Sequence, residues 1–386
     1  MMNGSKRARE IEPFQVMAVL ARAQQLEAAG KDVIHMEVGE PDFPTPKAVI
    51  EAGIQALQQQ RTRYTPALGL PQLRQAISDF YRSQFGVDVG SERIAVTPGG
   101  SGALQLVLGA LLNPADEVLM ADPGYPCNRH FVRLFDGLPA LIPVDQETDY
   151  QLNADLVSAH WSPATKAVLL ASPSNPTGSC CSLTELERIH EQVRSRGGVL
   201  IVDEIYQSLV YERSPETALS ISEDIVVINS FSKYFGMTGW RVGWLVAPER
   251  YIPLVERLAQ NLFLATSTLS QYAALAAFGG DTLAELERRR QEFQRRRDYL
   301  VTALKELGFR IPLTPQGAFY IYADCSALAK DSEALATDLL EHCAVAVTPG
   351  RDFGRHHADK YLRFAYTTDI ARLRTGVERL AAYLAR

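Results

Sequence analysis

Ser230-Phe231-Ser232-Lys233-Tyr234-Phe235-Gly236-Met237-Thr238-Gly239-Trp240-Arg241-Val242-Gly243 is the stretch on which the reading of this chain turns. It follows Asp224-Ile225-Val226-Val227-Ile228-Asn229, whose apolar run reads as a buried strand. One lysine therefore falls just past a strand end, with two serines before it and an arginine eight residues on. A lysine amine forms a Schiff base with an aldehyde. Serine hydroxyls and a guanidinium hold a phosphate through short charge-assisted hydrogen bonds. Glycines at 236, 239 and 243 permit tight turns beside a ligand. The grouping suits a carbonyl compound that carries a phosphate.

Outward from this stretch the pattern is strand then helix, repeated. Strands are expected at 93–97, 118–121, 140–144, 166–171, 199–202 and 225–228, with an antiparallel one at 242–246. Helices are expected at 101–112, 125–135 and 183–195. Apolar strands joined by crossover helices imply a mostly parallel sheet covered on both faces. Ligands of such sheets bind beyond the carboxyl ends of the strands.

Four further motifs fall at such ends. Thr97-Pro98-Gly99-Gly100-Ser101-Gly102 opens a helix, where free N–H groups and the dipole favour a phosphate. Asp122-Pro123-Gly124-Tyr125 offers an aromatic ring, either to lie against a heteroaromatic ring or to pack in a turn. Ser174-Asn175-Pro176-Thr177-Gly178 is a turn with an amide donor. Asp203 follows a wholly apolar strand, so it either caps a helix or meets a cationic partner such as a protonated pyridine nitrogen. Tyr206, three residues on, can donate to an oxygen on the same ring. A fifth motif, Tyr361-Leu362-Arg363-Phe364-Ala365, sets an arginine in mid-strand, either on an exposed face or as a bidentate carboxylate clamp.

Taken together these motifs resemble the class I/II aminotransferases of the fold-type-I pyridoxal-phosphate superfamily, in order and over nearly the whole chain from about residue 13. The resemblance implies pyridoxal 5'-phosphate as cofactor, with Lys233 as the Schiff-base lysine and Asp203 as the pyridinium partner. It implies Asn175 and Tyr206 as donors to the ring oxygen and Tyr125 as the stacking ring. Gly100, Ser101, Gly102, Ser230, Ser232 and Arg241 then form the phosphate cup. Gly39, Asn175 and Arg363 meet the substrate, with Arg363 on its α-carboxylate. Tyr64 corresponds to a tyrosine that reaches the neighbouring subunit's phosphate, which implies a homodimer with shared sites. The activity implied is amino transfer from an L-amino acid to a 2-oxo acid. A carbon–sulfur β-lyase or an aminocyclopropane-carboxylate-type synthase would use the same residues.

Composition sets the outer bounds. The 386 residues are 46% hydrophobic and 22% charged, which fits a large globular core. A net charge of −6 argues against nucleic acid as a partner, and against an effector domain with a DNA-binding module. No apolar run approaches the roughly 20 residues of a membrane span. With no signal-like apolar core near the start, a cytoplasmic location is expected. The five cysteines lack CxxC spacing and no HExxH occurs, so no disulfide framework or metal site is expected.

Three units are expected: an N-terminal arm and helix at 1–43, a large cofactor domain at 44–280, and a small α+β domain at 281–386. Arg288-Arg289-Arg290 and Arg295-Arg296-Arg297 alternate with Glu and Gln on a long helix and read as a solvated face. Ser101 stands where some relatives that favour acidic donors carry a lysine, and Asn261 to Thr268 holds no cation. A distal carboxylate would then lack a partner. Neutral donors are therefore expected, unless Arg22 or Arg129 reaches the site.

Overall fold

Seven strands pair side by side in the order Ile94–Thr97, Gly243–Val246, Val226–Ser230, Val199–Asp203, Thr165–Ala171, Glu117–Asp122 and Leu138–Pro143. The computed structural model describes residues 4–385; residues 1–3 and 386, at the outer ends of the expected arm and small domain, lie outside the described residues. Gly243–Val246 runs antiparallel to both neighbours, and the other adjacent pairs are parallel. The sheet is thus mostly parallel, as its apolar strands predict.

Side-chain alternation sends successive residues to opposite faces. Leu200 and Val202 join the cluster beneath helix Leu183–Ser195, while Val199 and Ile201 join the one beneath helix Gly99–Leu111. Both faces are covered, so the strand ends are where chemistry can reach solvent. Register lines them up. Ala171 lies opposite Asp203, and Asp203 opposite Ile228. Ser230 and Thr97 both face Gly243.

The C-terminal part builds a three-stranded antiparallel sheet from Thr348–Pro349, Tyr361–Ala365 and Tyr320–Asp324. Helices Gly280–Glu306, Ser332–Cys343 and Ile370–Leu384 pack with it. The arm contributes a short strand, Ile34–His35, paired in parallel with Val345–Ala346. Beyond His35 the run leaves that ladder, and the Met36 carbonyl instead accepts from Ala365 N–H at 2.7 Å. No helix among the described residues is long and apolar enough to cross a membrane.

One expectation is corrected here. Arg296 and Arg297 are not on a solvated face: their side chains are 3% and 2% exposed. Arg296 pairs with Asp42 at 2.8 Å and Glu292 at 3.2 Å and lies over the rings of Phe43 and Phe293. Arg297 pairs with Glu212 and Asp298, donates to the Pro315 carbonyl at 2.9 Å and covers Tyr211. A guanidinium can be buried when its N–H groups are satisfied and its plane stacks. These two stitch the long helix to segments far away in sequence.

Candidate active site

Beyond the carboxyl ends of the large sheet lies a cavity of about 290 Å³. Of the residues singled out by sequence, Gly39, Gly100, Ser101, Tyr125, Asn175, Asp203, Tyr206, Ser232, Lys233, Arg241 and Arg363 line it. Gly102, Ser230 and Tyr64 do not. Gly102 is buried in the first turn of helix Gly99–Leu111 against Pro98. Ser230 sits one layer behind, its hydroxyl 2.9 Å from Ser232 Oγ and accepting from Ser232 N–H at 3.1 Å. Tyr64 is 84% exposed on the surface of the chain.

Lys233 follows strand Val226–Ser230 and donates from Nζ to the Gly39 carbonyl at 2.7 Å. Burial lowers its amine to about 8, against the pull of nearby Glu40. Asp203 ends its strand, and its Oδ1 accepts from Ile205 N–H at 3.1 Å. Burial raises its carboxyl to about 6, although that hydrogen bond and Lys233 pull the other way. Among the described residues Lys233 has no anion, and Asp203 no cation, within ion-pair distance. Both charges are left open toward the cavity.

Arg363 is buried in the middle of its strand. Nη1 donates to Asn175 Oδ1 at 2.9 Å, and Nη2 to the Glu37 carbonyl and to Thr348 Oγ1. The plane is held between the Tyr320 and Phe353 rings, 4.2 and 4.7 Å from their centroids. Nε is buried with no hydrogen-bond partner among the described residues. Such an orphan is costly unless a ligand completes it.

At the other end, Gly99 takes a φ of +69°, and a Cβ there would fall 2.6 Å from Arg241 Nη2. Only glycine lets the turn approach the arginine so closely. Arg241, Ser232 and the opening N–H groups of the helix thus converge on one corner. Gly39 has a similar reason: a Cβ would lie 1.7 Å from Tyr320 Oη.

Sequence reasoning missed Tyr320, whose hydroxyl meets that of Tyr206 at 2.9 Å, and Thr238, whose hydroxyl donates to Glu40 at 2.5 Å. It also missed the apolar wall of Phe14, Val16, Met17, Val38 and Leu104. Phe14 meets the Tyr125 ring edge-on at 6.1 Å. Carboxylate Asp352 accepts from the N–H groups of Gln15 and Val16 and so fixes the start of helix Gln15–Ala28 beside the cavity.

Residues 31–380 match the family described as aminotransferase class I and II. The chain is 36% identical over 383 residues to the (5-formylfuran-3-yl)methyl phosphate transaminase of Methanocaldococcus jannaschii, covering 98% of this chain and 99% of that protein. It is 34% identical over 376 residues to the valine–pyruvate aminotransferase of Mycobacterium tuberculosis, covering 97% of each. The aspartate aminotransferase of Thermus thermophilus, crystallised with maleate, superposes with a TM-score of 0.93 at 34% identity, over 99% of this chain and all of that one. Pyridoxal phosphate, the cofactor of this family, needs a phosphate corner, an aromatic wall, an anion for its ring nitrogen and an amine. The Gly99–Arg241 corner, Tyr125, the unpaired Asp203 and Lys233 fit each need. The chain belongs to the class I and II aminotransferases and is a pyridoxal-phosphate-dependent enzyme that moves amino groups between amino acids and 2-oxo acids.

Proposed function

We propose that this aminotransferase takes neutral L-amino acids as donors and works as a homodimer, with Lys233 as its proton carrier. The observation that carries the site assignment is the meeting of Lys233, Asp203 and Arg363 in one cavity, each with unmet bonding capacity. When bound, pyridoxal phosphate supplies the carbonyl that receives the amino group and the ring that accepts electron density from Cα. Lys233 removes and returns the proton at Cα. An amine lowered to about 8 populates both protonation states near neutrality, which suits a group that must do both.

Asp203 holds a proton on the ring nitrogen, and its burial makes that cation the partner it otherwise lacks. Tyr206 and the Asn175 amide donate to the ring oxygen, and Tyr125 walls the ring. The N–H groups at 100–102, with Ser101, Ser232 and Arg241, hold the phosphate, while Ser230 positions Ser232 from behind. Arg363 takes the α-carboxylate, its guanidinium being oriented by the bonds of Nη1 to Asn175 and of Nη2 to the Glu37 carbonyl. Gly39 leaves room beside Tyr320.

Support for neutral donors comes from the side walls. The cations lining the cavity are Lys233, Arg241 and Arg363, all engaged by the roles above. Arg22 pairs with Glu341 at 2.6 Å and Arg129 with Glu12 at 3.2 Å, and neither lines the cavity. The remaining wall is mostly apolar, and its charged member, Glu40, is an anion that would repel a distal carboxylate. Exposed Ile50, Ile54, Leu57, Leu262 and Leu264, together with Tyr64, support a dimer face. Two buried cores, one around the large sheet and one joining Ile34 and Met36 to the C-terminal strands, support the arm, large and small units at 1–43, 44–280 and 281–386.

The test is to add each L-amino acid alone to the loaded protein and follow cofactor amination by absorbance. Alanine or phenylalanine should exceed aspartate by at least about tenfold in rate over concentration. An aspartate lead of that size would overturn the neutral-donor reading.

A further inference from the structure

Four consecutive peptide carbonyls, at residues 36–39, hold the parts of the site in place. Met36 O accepts from Ala365 N–H at 2.7 Å. Glu37 O accepts from Thr348 Oγ1 at 3.0 Å and from Arg363 Nη2. Val38 O accepts from Thr367 Oγ1 at 3.1 Å, and Gly39 O from Lys233 Nζ at 2.7 Å. The guanidinium and the amine of the site both hang on this run, so whatever fixes its register fixes them.

The Glu37 side chain is 0% exposed, and one of its oxygens has no hydrogen-bond partner among the described residues. A buried carboxylate stays ionised at low cost only beside a close cation. Its other oxygen lies 2.7 Å from His35 Nδ1, two residues back along the chain. The second ring nitrogen, Nε2, lies 3.1 Å from Glu27 Oε1 on helix Gln15–Ala28. An imidazole bonded at both nitrogens by carboxylates is held as the cation. The first turn of that same helix supplies Val16 and Met17 to the cavity wall.

Other charges nearby are engaged elsewhere. Asp32 pairs with Arg372 and Arg379 of helix Ile370–Leu384, and Glu341 of helix Ser332–Cys343 pairs with Arg22, while Lys31 donates to the Glu341 carbonyl. Glu37 and Glu27 are the charged groups that act on the ring.

We propose that Glu27, His35 and Glu37 form a positioning device for substrate-carboxylate recognition: the paired imidazolium keeps buried Glu37 in place, and with it the carbonyls that seat Arg363 and Lys233. The inference rests on Arg363 being the carboxylate clamp. Hydrogen bonding to Glu37 raises His35 from 6.5 to about 9, against its partial burial. A cation favoured by the fold contributes fully below its ordinary value and is lost as pH rises through the raised one. Positioning should therefore persist through neutrality and fade near pH 9.

The experiment uses the loaded enzyme and 3-phenylpropionate, a carboxylate with no amino group to titrate or transfer, read by the cofactor spectrum from about pH 7 to about pH 10. His35→Asn should weaken its binding by about tenfold at neutral pH, and the single-turnover rate at saturating alanine should fall too, because Lys233 hangs on the same run. His35→Asn with Glu37→Gln should restore affinity to within about threefold, because an amide no longer demands a cation. Wild type should lose affinity near pH 9 and the double variant should not. Wild-type affinity in His35→Asn across the range overturns the proposal. If His35→Asn does not fold, the double variant decides: a wild-type loss near pH 9 that survives in it also overturns the proposal. Arg363→Gln separates the two readings. If it leaves 3-phenylpropionate binding unchanged, the clamp itself is wrong, whatever His35 does.

Discussion

The helix Gly280–Glu306 and the ends of the large-sheet strands both bury charge, and they treat it in opposite ways. On the helix, Arg296 and Arg297 find carboxylates, carbonyls and rings for their N–H groups and their planes. At the strand ends, buried Asp203 and part-buried Lys233 have no ion partner among the described residues, and Arg363 keeps an orphaned Nε. A finished set of contacts holds the molecule together. An unfinished one marks where a ligand is to finish it, and its cost is carried by the protein until then.

Lys233 tests the contrast most severely. Lys233→Ala should lower single-turnover rate by at least about a thousandfold, the upper range for a positioned acid–base group. The ligand-free protein should melt no lower than wild type, since the removed amine is one that burial disfavours as a cation. A melting loss as large as that of a core truncation would place the lysine among the structural charges.

Asp203 comes next. Asp203→Asn should cost roughly a hundredfold in single-turnover rate, because the ring nitrogen loses the anion that keeps its proton. Its stability effect has the opposite sign. A carboxyl raised from 3.8 to about 6 binds its proton more tightly in the fold than in the unfolded chain. The fold's advantage is therefore complete below the unfolded value and is lost as pH rises through about 6. Without cofactor, Asp203→Asn should gain on the order of 1–3 kcal/mol at about pH 8 and nothing near pH 4. Urea melts at the two pH values check this, and equal gains at both would sink it.

Arg297→Met should do the reverse. It strands the Pro315 carbonyl and uncovers Tyr211, while exposed Glu212 and Asp298 rehydrate. A loss of about 2 kcal/mol is expected, with the single-turnover rate kept within about threefold. A selective fall in rate with unchanged stability would erase the distinction between the two regions.

The chemistry was more legible in the sequence than the packing was. A lysine, an acid and a glycine turn at strand ends are local signals, and the sheet supplies their meeting point. Arg296 was misread because a charged helical face and a stacked, paired one look alike until Asp42, Phe43 and Thr367 arrive from elsewhere. Helices Ile252–Leu262 and Thr268–Leu275 were not foreseen, the first opening with Pro253 in its first turn and the second only eight residues long. Tyr320 escaped because its part depends on Gly39, far away in the chain. Glu37 gave no sign either, since an acid next to a glycine turn is ordinary until its burial is seen.

Tyr64 extends the contrast beyond one chain. At 84% exposure it is not buried and has no partner among the described residues, and it lies outside the cavity of its own protomer. If its partner is the phosphate corner of a second copy, the unfinished site is finished across a dimer. Tyr64→Ala and Lys233→Ala should each be poorly active alone. Mixed, unfolded and refolded together, they give hybrids in which the protomer with an intact Lys233 receives an intact Tyr64 from its neighbour. The other site of the hybrid carries both lesions. Random pairing makes about half the dimers hybrid with one good site in two, so about a quarter of wild-type activity should return. A tyrosine acting within its own chain gives no such site, because every intact Lys233 would then sit beside its own Tyr64→Ala. Hybrids shown to form by mass, yet no more active than their parents, would remove Tyr64 from the active site.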